Sequence, residues 1–104
     1  MIDRQAVEEA VFKAIDSANK ELSKRERLVK SAGTALTGPA SALDSLGFVI
    51  FITIVENKIK EEFGTAITLA DERALSGDSN AYETVGKLVD YICLLINDSA
   101  KGRQ

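Results

Sequence analysis

From Asp3 to about Lys24, the residues Val7, Val11, Ile15, Ala18 and Leu22 recur at helical spacing, with Ala10 and Ala14 filling the same side. The pattern predicts an amphipathic helix over 3–24, with Asp3 as its N-cap and Glu8, Glu9, Lys13, Asp16 and Lys20 in water. Lys24 to Lys30 is charged and reads as a solvated continuation. The pattern then breaks between Ser31 and Asp44, a long loop of small residues punctuated by Gly33, Gly38 and Pro39. A connector of that length in a short chain crosses the molecule or serves function. Leu36 is the residue expected to pin it to the core.

A second helix is predicted over 45–63, capped by Asp44 or Ser45 and stopped by Gly64. Leu46, Val49, Ile52, Val55 or Glu56, Ile59 and Phe63 trace one face. Phe48, Ile50, Phe51 and Ile54 spread apolar surface around the rest of its first half. Such a helix is either central to a bundle or offers an adhesive face. A short helix is predicted over 69–76, with Thr68 and Asp71 spaced as a capping box and Gly77 as its stop. Turn residues Gly77 to Asn80 follow. A last helix over 82–97 carries Val85, Leu88, Val89, Ile92, Leu95 and Ile96 as its buried stripe, and 98–104 is expected to be a loose tail. With no repeat and no convincing strand, this is an all-α fold, three longer helices and one short one in a single domain, 1–104.

The 104 residues suffice for one core, burying roughly 65% of the surface the unfolded chain exposes, but not for a deep catalytic cavity. The formal net charge of −3 and the interleaving of Lys20 to Lys30 with Glu21 and Glu26 argue against nucleic acid. The apolar run Phe48 to Val55 is far short of the ~20 residues a bilayer span needs. No signal-peptide core follows Met1, and Cys93 is the single cysteine, so a cytoplasmic protein is expected.

Histidine is absent. That removes Ser-His-Asp and Cys-His catalysis and nearly all zinc chemistry. Cys93 has no activating base or cation nearby in sequence and reads as a half-buried thiol. Glu61, Glu62, Asp71 and Glu72 read as solvated helix ends rather than as a cation site. Ser45 stands out because it opens a helix, where unpaired N–H groups and the positive end of the helix dipole favour phosphate. The plain alternative is a serine that only caps.

The order of elements resembles the acyl carrier proteins: a long helix, a long loop, Asp44-Ser45-Leu46 heading the second helix, a short third helix, and Asp90-Tyr91-Ile92 in the fourth. Glu61-Glu62-Phe63-Gly64 followed by Ile67 and Leu69 is similar to the family's exit from the second helix. The resemblance covers about Asp3 to Ile96. It implies a four-helix bundle of acyl-carrier type that is not an enzyme.

In such carriers the motif serine bears a 4'-phosphopantetheine arm taken from coenzyme A, which holds acyl groups as thioesters for fatty-acid, lipid or secondary-metabolite pathways. Carried over, Ser45 is the attachment site. Asp44 assists recognition by a phosphopantetheinyl transferase, and Leu46 anchors the helix start in the core. Acyl-loading and acyl-processing enzymes are the implied partners, and a monomer is expected.

The chain departs from the family pattern just after the serine. Members commonly carry acidic residues there, on which Arg and Lys of partner enzymes dock. Here Gly47, Phe48, Val49, Ile50 and Phe51 follow instead, which makes Gly47, Phe48, Ile50 and Phe51 docking candidates and points to a specialised carrier. The second helix is also about one turn longer and the link from Ser76 to Glu83 is lengthened. Rival readings are an aminoacyl or peptidyl carrier, a helical protein-interaction module, and a small enzyme using Ser45 or Cys93.

Overall fold

A computed structural model describes residues 3–22, 24, 27–38, 41–69 and 80–101, without the side chains of Ser45, Asn80 and 98–101. Among these residues the fold is all-α. Helix α1 spans Arg4–Glu21, α2 spans Ser45–Phe63 and α3 spans Val85–Lys101, the last preceded by a 3-10 turn at Asn80–Tyr82. The only β pairing among them is an isolated antiparallel bridge between Ala35 and Thr84.

Helices α1 and α2 begin and end for local reasons. The Asp3 carboxylate accepts the Gln5 N–H and starts α1. Its end comes at Glu21, earlier than the expected Lys24. Leu22 turns to extended backbone (φ −82°, ψ 150°), its N–H donating to Ala18 O, and its side chain is buried. The chain leaves the helix so that Leu22 and Leu28 can both enter the core. Asn19 secures the return, its Nδ2 donating to Leu28 O at 2.9 Å and its Oδ1 accepting Leu28 N–H at 2.8 Å. Helix α2 stops at Gly64, whose φ of 66° lies in the left-handed region that glycine enters without steric cost.

Of the loose tail expected over 98–104, residues 98–101 are helical instead, α3 continuing to Lys101, while 102–104 lie outside the described residues. No glycine or proline stands between Asn97 and Lys101, so nothing stops the helix there. The start expected at 82 moves to Val85, with Tyr82 in the 3-10 turn. Of the short helix expected over 69–76, Leu69 lies in non-helical connector, while residues 70–79, with Asp71 and Gly77, lie outside the described residues.

One core joins the three helices. Val7, Val11, Ile15 and Ala18 of α1 meet Phe51, Ile52, Val55 and Ile59 of α2 and Leu88, Val89 and Ile92 of α3, all fully buried. Leu36, 1% exposed, pins the long loop to it. Full burial of a side chain of this size contributes about 1.5–3 kcal/mol. Lys13–Glu62 (2.7 Å) and Arg4–Asp90 (2.6 Å) bridge α1 to α2 and to α3 at the solvated rim. These pairs hold Lys13 and Arg4 above their ordinary pKa values, in each case chiefly through the hydrogen bond to the carboxylate. Pairs this exposed add little stability.

Candidate functional site

The start of α2 is built by Asp44. Its backbone is extended (φ −86°, ψ −178°), and its Oδ1 accepts the Gly47 N–H at 2.7 Å. Asp44 O accepts the Phe48 N–H at 2.9 Å. Of the two caps the sequence allowed, Asp44 is the one used, which leaves Ser45 as the first helical residue. The N–H groups of Ser45 and Leu46 meet no acceptor among the described residues. They point out of the helix end together with the positive pole of its dipole.

Leu46 does not anchor the helix start in the core: it is 69% exposed. The phase of α2 is set by Phe48, Phe51, Ile52, Val55 and Ile59, all buried, and Leu46 lies across the helix from them. The face expected through Leu46 and Val49 is therefore rotated, with Val49 half-buried. The docking candidates separate on the same principle. Gly47, Phe48 and Phe51 are buried, and only Ile50 is half-exposed. As an outward surface that set is corrected: from its start to Asn57, α2 turns Leu46, Val49, Ile50, Thr53 and Asn57 toward solvent.

Behind this helix start stands Tyr82, whose role sequence reasoning missed. It is 2% exposed. Its ring meets Phe48 edge-on at 6.0 Å between centroids and Tyr91 at 5.8 Å. Its hydroxyl donates to Leu69 O at 3.0 Å, while Glu56 accepts the Leu69 N–H. Tyr82 thereby braces the second turn of α2 against α3. A lone aromatic in a turn has no periodic partners, so hydrophobic spacing could not find it; its position just before a helix is the one available signal.

The long loop runs to the other helix start. Leu36 N–H donates to Glu83 O, Val85 N–H to Thr34 O, and Gly86 N–H to Ala32 O at 2.8 Å. Thr37 Oγ1 donates to Tyr82 O at 3.2 Å. A Cβ on Gly86 would stand 3.1 Å from Ala32 O, so glycine permits this approach.

The remaining candidates lie apart. Asp90 pairs with Arg4, Tyr91 is half-buried against Tyr82, and Ile92 is core. Cys93 is a free, half-buried thiol. Burial raises its pKa, outweighing the opposite pull of the Arg4 guanidinium, so the reactive thiolate is disfavoured. Glu62 is taken by Lys13 and Glu61 pairs with Lys58 at 3.7 Å. Among the described residues no group of three His, Cys, Asp or Glu could hold a metal; Asp71 and Glu72 lie outside them. No described helix is long and apolar enough to cross a membrane.

Comparison with family models, with curated proteins and with solved structures finds no match to the chain.

Proposed function

We propose that the chain is an acyl carrier protein in which Ser45 bears 4'-phosphopantetheine, serving a specialised pathway. The observation that carries this reading is the division of labour at the start of α2. Asp44 does the capping, so Ser45 is released from it and stands beside two unclaimed N–H groups at a helix N-terminus. The resemblance of Asp44-Ser45-Leu46 and the order of the elements supply the chemistry, and the described geometry is compatible with it.

The residues present fit the group. Its phosphodiester would sit at Ser45, where the leading amides of Ser45 and Leu46 have no other acceptor among the described residues. When bound, the arm supplies a terminal thiol that holds acyl groups as thioesters. The protein's part is positioning: Phe48, braced by Tyr82, fixes the helix that presents Ser45. The finer architecture goes with this reading, a four-helix bundle of acyl-carrier type with its short third helix beginning after Leu69. So do loading by a phosphopantetheinyl transferase and handling by acyl-processing enzymes.

The test is incubation of the purified protein with coenzyme A and a promiscuous phosphopantetheinyl transferase, followed by intact mass. The expected result is one added phosphopantetheinyl group on the wild type and none on Ser45→Ala, whose thermal unfolding should match the wild type. A wild type that stays unmodified, or a Ser45→Ala variant that is modified, overturns the reading.

A further inference from the structure

We draw no further inference here: the strongest candidate, the surface patch of Leu46, Val49, Ile50 and Thr53 on α2 beside Ser45, is an unpartnered apolar face, and nothing in the structure shows what covers it.

Discussion

At the start of α3 each of the first four N–H groups has an acceptor: Thr34 O for Val85, Ala32 O for Gly86, Thr84 Oγ1 for Lys87 and Thr84 O for Leu88. At the start of α2, among the described residues, only the third and fourth N–H groups, those of Gly47 and Phe48, are bonded, both to Asp44. The two ends face the same requirement for four acceptors. One meets it half with the adjacent Thr84 and half with main chain from a distant loop, which locks loop and helix together. The other meets half of it locally and leaves the remainder for solvent or a ligand. The long loop therefore secures the helix start that has no proposed chemistry, and over 41–44 it arrives at Ser45 with no such pairing to distant main chain among the described residues.

The contrast can be attacked through the residue that both starts share. Tyr82 touches Phe48 of α2 and Tyr91 of α3, so Tyr82→Ala should cost about 3–5 kcal/mol in urea unfolding, as other large-to-small aromatic truncations in cores do. If the two starts depend on each other, hydrogen exchange at Val85 and Phe48 will accelerate together in that variant. Acceleration at one alone makes them independent units.

Gly86→Leu is aimed at the locked start. Its side chain must displace Ala32, whose carbonyl would stand 3.1 Å from the new Cβ. A loss of about 1–3 kcal/mol by thermal or urea unfolding is expected. At the open start, Asp44→Ala removes the cap and should cost only about 1 kcal/mol, with Asp44→Asn within a few tenths of the wild type. Equal losses for Gly86→Leu and Asp44→Ala would erase the difference between the two ends.

Those magnitudes also explain what could be read without coordinates. Helix starts and stops with strong local chemistry were legible: Asp3, Asp44 and Gly64 each act within their own turn, and α2 runs over the bounds their positions imply. The core stripe of α3 was for the most part legible, although Leu95 of the expected stripe is only half-buried and its neighbour Leu94 is exposed; that of α1 was legible because its opposite face is polar. The rotation of α2 was not, because apolar residues surround its first half and any of several faces could have been inward. Packing of Phe48 and Phe51 decided it, and Leu46 moved outward as a result. Tyr82 and the pairing of 32–36 with 83–86 depend on residues far apart in sequence, which periodicity does not register. Ser45 was found by type and position, and its release from capping required the Asp44 geometry.

The paired bonds between Asn19 and the main chain of Leu28 have a practical side. A side-chain amide there imitates one rung of a β ladder and ties Leu28 back to α1, so the core contacts of Leu22 and Leu28 are held at both ends of the stretch that follows Leu22. Loop-closure entropy grows only slowly, about 0.6 kcal/mol for each doubling of length. The stretch after Leu22, where Lys24 and Arg27 are exposed, is thus a natural place to insert an epitope or a fluorophore anchor, leaving Ser45 untouched as a reporter of function.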